Sequence, residues 1–391
     1  MSTQVHSHDK SQVAARLRIA TATYLFMCAS LLGPYGCGGG NSNGGSPPPL
    51  TPTYTTIDAP GVGMAASQGT TANDINASGD IVGFFIDPYN RGHGFMRSSA
   101  GALTVLDASL FSSEGSSAQA INMAGTVVGF FVVQQSIYQQ PFTHAYIRTL
   151  NGYLTKFDVP GSSLTIARSI NDGGAIAGEY LDSNQAAHCW LRAVDGTLTA
   201  FDVPGSMALS FGGTLFMGIS LSRINAGGTI IGSFTDANGV YHGFLRAPDG
   251  TLTTLDAPSA GTMANTGTKA ADINSSDAIV GTVSTAGASH SFLRSPDGTY
   301  TIFDPPGAAA GGSSSTGVND TGLIVGNYAD ANKVMHGYLR NLDGSFTAID
   351  DPNAPQSANS VGTATTRINA SGAVVGVFFD ALGAGHGFVR E

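Results

Sequence analysis

Charge is scarce in this sequence. Lys, Arg, Asp and Glu make up 11% of 391 residues, and only three are glutamates: Glu114, Glu179 and Glu391. No stretch after residue 50 carries apolar side chains at helical spacing. These deficits exclude polyelectrolyte disorder and long amphipathic helices. Three cysteines, Cys28, Cys37 and Cys189, are too few for a disulfide framework, so stability has to come from packing. Basic residues are the minority. Of 17 basic and 27 acidic residues, three and one fall within residues 1–37, which leaves 14 and 26 beyond them. Such a surface repels phosphate backbones and excludes nucleic acid as an expected partner. Glycine, by contrast, is abundant at 53 residues. With Thr and Ser it suits many short strands joined by tight turns.

The amino-terminal segment reads as a targeting signal. Residues 1–18 are polar with net positive charge, and residues 19–33, "IATATYLFMCASLLG", form a short apolar run. That run is too short for a comfortable membrane span and fits a secretory core region. The Cys37-Gly-Gly-Gly junction resembles the start of a mature bacterial lipoprotein. Gly36 fits that pattern, while Pro34 stands where such signals usually carry Leu. The resemblance implies acylation of Cys37, membrane contact through the lipid alone, and a place at the cell surface or outer membrane. Ordinary secretion is the alternative. Residues 38–52 follow as a Gly/Ser/Pro linker, and residues 53–391 form one domain, expected to be monomeric.

That domain is one unit written seven times. Its histidines are His93, His144, His188, His242, His290, His336 and His386. An Arg follows each by four residues: Arg97, Arg148, Arg192, Arg246, Arg294, Arg340 and Arg390. Between them stand Phe95, Tyr146, Trp190, Phe244, Phe292, Tyr338 and Phe388. An Asp lies fourteen after the first six: Asp107, Asp158, Asp202, Asp256, Asp304 and Asp350. Upstream runs an "I-N-x-x-G-x-I-V-G" segment with Asn76, Asn122, Asn171, Asn225, Asn274, Asn319 and Asn369. A period of about 48 residues is read as a repeat architecture before anything else.

Each unit predicts four strands. The first ends at Ile-Asn, and a Gly turn (Asp277 once) leads to the "IVGFF" strand. "HGFLR" is the third, and a "DG" turn opens the fourth. Four antiparallel strands per unit predict an all-β, seven-bladed β-propeller. The last unit stops at Glu391 without a fourth strand, and an orphan fourth strand, Tyr54 to Asp58, precedes the first unit. That orphan is expected to complete the last blade and close the ring. The residue after each His is small, so Cys189 reads as a packing residue. The repeat resembles the probable extracellular HAF repeat family, its tripeptides here reading HGF, HAY, HCW, HGF, HSF, HGY and HGF. The resemblance covers roughly residues 53–391 and implies export, with no particular activity.

His and Asp in every unit point to structure before chemistry. Each His is expected to donate to the Asp on the neighbouring strand, with Asp58 serving His386. One His per blade does not converge on a metal, and no cofactor is expected. The sequons at Asn76, Asn274, Asn319 and Asn369 read first as turns. Gly40 to Gly44 matches a nucleophile elbow in pattern but lies in a linker with no strand or helix, so it carries no catalytic expectation. Two residues before each repeat Asn stand Asp74, Ala120, Ser169, Arg223, Asp272, Gly317 and Arg367, expected to line the central channel with salt bridges between neighbours. Variation collects on the face carrying turn two and the connections between blades. The candidate ligand-binding residues there are Phe111 and Glu114, Tyr138 and Phe142, and Phe211, Phe216 and Met217. The expected function is binding of a glycan or protein. The alternative is a polysaccharide-acting hydrolase or lyase, which would need acids or a His that break the repeat.

Overall fold

A computed structural model describes residues 52–106, 113–133, 142–207, 209–211, 214–216, 218–309, 311–357 and 361–391. Among these there are thirty strands and no α-helix. Unit four shows the plan: Ile219–Ile224, Ile230–Thr235, Tyr241–Arg246 and Leu252–Leu255 pair in sequence order, all antiparallel. Its first turn is built by Asn225, whose side-chain oxygen accepts the Thr229 N–H at 2.9 Å while Gly228 takes φ 86°. In unit five Asp277 stands at this left-handed position with φ 63°, a conformation Asp tolerates at modest cost. The third turn uses Asp249, which accepts the Thr251 N–H at 2.8 Å.

The first strand of every unit carries a register shift, between Ala72 and Asp74 in unit one and at equivalent places in the others. One extra residue bends the strand and turns its far end inward. The bend also explains the Gly of "IVG". A Cβ on Gly178 would lie 2.0 Å from the Ile166 carbonyl oxygen and 2.5 Å from the Trp190 ring.

Successive units meet face to face, and the core lies between them. Trp190 of unit three packs with Ala120, Val128 and Ala145 of unit two. Ala177 and Cys189 of unit three pack with Leu221, Ile230 and Phe244 of unit four. The seven third-strand aromatics are wholly buried. Each supplies a large apolar area to the joint, and truncating one to Ala would cost roughly 3–5 kcal/mol. Cys189 is a free thiol inside this packing; burial pushes its pKa well up, and Glu179 adds to the effect.

The last three strands, Thr363–Ile368, Val374–Phe379 and Gly385–Arg390, are joined by Tyr54–Ile57. That strand pairs antiparallel with the last, from Tyr54↔Arg390 to Ile57↔Gly387. Thr53 and Glu391 exchange two backbone hydrogen bonds of 3.0 Å.

Candidate functional site

Strand register gives each unit two ends. At one end lie the first and third turns, with the repeat Asn. At the other lie the second turn, the repeat His, and the connection to the next unit.

The first end is tied by a circuit of amides. Asn76 donates to the carbonyl of Asn122, Asn122 to Asn171, Asn171 to Asn225 and Asn225 to Asn274. Asn274 donates to Asn319, Asn319 to Asn369, and Asn369 back to Asn76 at 3.1 Å. The four sequon asparagines belong to this circuit and are buried. Just inside it the first strands face one another. Arg223 of unit four reaches Asp74 of unit one with two hydrogen bonds of 3.1 and 3.2 Å. The neighbour pairs are longer: Arg223 to Asp272 is 3.6 Å and Arg367 to Asp74 is 3.9 Å. The shortest bridge therefore crosses the centre instead of joining neighbours. The two flanking carboxylates raise the Arg223 pKa although burial opposes them.

At the second end the His residues are clamped. Nδ1 lies 2.8 Å from Asp158 in His144, 2.5 Å from Asp202 in His188 and 2.9 Å from Asp256 in His242. It lies 2.7 Å from Asp304 in His290, 2.9 Å from Asp350 in His336 and 2.9 Å from Asp58 in His386. A carboxylate can only accept, so Nδ1 carries the proton. Asp107, the residue expected opposite His93, lies outside the described residues.

A second carboxylate faces Nε2, which the sequence reading missed. Asp87 is 3.3 Å from His93 Nε2; Asp182, Asp236 and Asp380 lie 3.7 Å from theirs, and Asp330 3.8 Å. These residues shape the second turn: Asp236 accepts the N–H groups of Asn238 and Val240. The Val240 bond leads in holding the Asp236 pKa below the usual carboxylate range, and the Ala186 bond does the same for Asp182. The signal was an Asp six residues before His in five units, broken by Tyr138 and Ser284. Each imidazole also lies on a cross-strand ring where one is present, as His242 on Phe234 at 5.0 Å. Among the described residues no group of three or more His, Cys, Asp or Glu could hold a metal.

One corner at this end departs from the rest. At one register position near the start of the first strand stand Thr70, Thr165, Thr268 and Thr363 in units one, three, five and seven. Their hydroxyls accept the N–H of the residue after the preceding Asp, at 2.9–3.2 Å. In unit six Ser313 instead donates to Asp304 at 2.6 Å and accepts the Ser291 N–H at 3.0 Å. Unit four has Ile219 there, buried and without a hydroxyl. At that corner a cleft of about 260 Å³ opens, lined by Ala186, Ala187, His188, Asp202, Val203, Ser206, Met207, Gly218 and Ile219. Asp202 is 73% exposed there, against 30–48% for the Asp partners of the other paired histidines.

The cleft sits at the root of the insertion between units three and four. That segment, expected as a plain connection between blades, forms a hairpin, Leu209–Phe211 with Thr214–Phe216, with two glycines between its strands. Phe211 and Phe216 fall in its strands. Glu114 falls in the strand Ser113–Ile121. Phe142 is half-buried and stacks at 6.3 Å on His144, the same end of unit two. Phe111, Tyr138, Met217 and Cys37 lie outside the described residues.

No family model and no curated protein matches the chain. Solved structures do. A catalytically inactive virginiamycin B lyase from Staphylococcus aureus, with quinupristin, is 12% identical with TM-score 0.50, over 87% of this chain and 100% of that one. The β-propeller domain of the Trilobed protease from Pyrococcus furiosus is 9% identical with TM-score 0.52, over 82% and 97%. A prolyl endopeptidase is 12% identical with TM-score 0.51, over 81% and 47%. At such identities the likeness is one of backbone alone, and it makes this chain an all-β protein with the β-propeller fold.

Proposed function

We propose that the chain is an exported bacterial binding protein, lipid-tethered through Cys37 or secreted, that presents the His-bearing end of its propeller to a glycan or protein. In this reading the propeller has seven blades, and Tyr54–Ile57 closes the ring as the last blade's fourth strand. The Tyr54↔Arg390 register and the return of the amide circuit to Asn76 support closure. Residues 1–37 and the likeness of the units to HAF repeats support export.

The observation that carries the reading is the cleft at Ile219. The repeat is relaxed at one corner, and that corner lies beside an insertion on a rigid scaffold, where binding groups commonly collect. An enzymatic reading has His188 in its favour, since a His oriented by Asp202 at the mouth of a cleft is arranged as a general base. The same His–Asp geometry recurs in five other units, where it holds two strands together, and this favours binding. The lyase and peptidase activities of the structural neighbours belong to those proteins.

The test uses the full chain on glycan arrays and against candidate surface proteins. Tyr138→Ala and Phe211→Ala are expected to weaken binding with the melting temperature unchanged. The reading fails if both leave affinity intact while Met123→Ala and Leu150→Ala, exposed at the opposite end, abolish it.

A further inference from the structure

The cleft at the corner between units three and four can be assigned an occupant, on the assumption that this end of the propeller binds ligands at all. The Thr corners and unit six's serine show what this backbone asks for. A hydroxyl receives an N–H and, where it is Ser313, also donates to the repeat Asp at 2.6 Å. Ile219 supplies no hydroxyl, and the Asp202 carboxylate is left exposed on the cleft side. We propose that a hydroxyl from outside takes the missing part: the cleft is a subsite for one ring of a neutral saccharide, with Asp202 accepting from a ring hydroxyl.

Size, lining and charge agree with that occupant. A volume of about 260 Å³ lies below the roughly 300–1,000 Å³ of pockets for drug-sized ligands, so one ring enters and the rest of the ligand stays outside. Ser206 and His188 add polar groups at the sides. Val203, Met207 and Ile219 give an apolar wall for the C–H face of a sugar ring. An anionic ligand would meet Asp202 and, 3.7 Å from His188 Nε2, Asp182. A cationic side chain is the rival occupant. It would leave the apolar wall unused.

The probes are an array of neutral, sulfated and amino-substituted oligosaccharides and a soluble oligolysine, tested on the full chain. Neutral glycans are expected to bind. Ser206→Trp, which fills the cleft and leaves both members of the His188–Asp202 pair in the chain, should remove that binding while leaving the melting curve in place. Asp202→Asn should weaken it by about ten- to a hundredfold, the loss of a hydrogen bond to a charged group. If Asp202→Asn unfolds the chain, the Ser206→Trp result decides. Binding that survives Ser206→Trp but falls with Phe211→Ala overturns the subsite and leaves the wider binding reading standing. Binding of oligolysine or sulfated glycans in place of neutral ones overturns the choice of occupant. Binding that ignores Ser206→Trp, Tyr138→Ala and Phe211→Ala alike overturns both.

Discussion

Substituting Asn369 by Ala cuts the amide circuit at the junction between the last unit and the first. The exposed Ser371 loses the bonds of its N–H and hydroxyl to Oδ1, which water takes over, and two bonds are lost inside: Nδ2 to the Asn76 carbonyl at 3.1 Å, and the Ala373 N–H to Oδ1 at 2.9 Å. Asn369 is buried, so water replaces neither bond without rearrangement. The stranded Ala373 N–H costs about 1–3 kcal/mol and the Asn76 carbonyl, which keeps the Gly79 N–H, loses a bond worth about 0.5–1.5 kcal/mol, so the substitution should cost about 2–4 kcal/mol. Asn171→Ala is the control. It strands the Ala175 N–H, bonded at 2.9 Å, and takes a 3.0 Å bond from the Asn225 carbonyl, which keeps the Gly228 N–H, between two units that are consecutive in the chain. The two costs should agree within about 1 kcal/mol, because each substitution removes one link of the same kind. The assay is urea unfolding followed by Trp190, the single Trp of the chain, which is fully buried in unit three. Circular dichroism recorded alongside would reveal an opening confined to the last junction, far from Trp190. A cost below about 0.5 kcal/mol for Asn369→Ala beside a full cost for Asn171→Ala would refute the reasoning. The junction between the ends would then contribute nothing in solution.

Deleting residues 53–58 should lower the melting temperature sharply or cause aggregation, since it uncovers Gly387–Arg390 and takes Asp58 from His386; a scan matching the intact chain would count against closure by this strand. Thr268→Val keeps the shape of the side chain but strands the Ala257 N–H, and urea unfolding should show a loss of about 1–3 kcal/mol. Lys269 lies 3.6 Å from the Tyr241 ring centre, and burial pulls its amine down to about 8. Its folded pKa is below the unfolded one, so the penalty is full below pH 8 and fades as pH rises towards 10. Lys269→Met should therefore gain most over the parent near pH 7, and a difference that stays constant from pH 7 to 10 would contradict this.

Much of the fold was legible because each unit restates its own turn chemistry. The Asn-x-x-Gly turn, with Asp277 as its one exception, follows from the left-handed position it must supply. The small residue after each His follows from close approach between units. Pairing of Tyr54–Ile57 with the last strand was legible from the missing fourth strand at the chain's end. Other features depend on contacts that no spacing reveals. The register shift in each first strand is silent in sequence, and it brings Asp74 and Arg223 together from units one and four. Nothing in the sequence marks Ile219; its position stands out only against the partnered Thr hydroxyls at the other corners. The cleft is thus an exception to a rule that had first to be seen in three dimensions.

The bonds between Thr53 and Glu391 also decide how the molecule bears load. Tyr54 lies at the end of the amide circuit, opposite the end that carries the cleft. A pull on the chain upstream of Thr53, resisted by a ligand held at the far end, runs along Tyr54–Ile57. Its four pairings with Gly387–Arg390 must then slide together, in shear. A pull between Thr53 and Glu391 themselves opens the same pairings one at a time, like a zip. One short strand is therefore a strong joint against traction from a tether and a weak one against separation of the two termini.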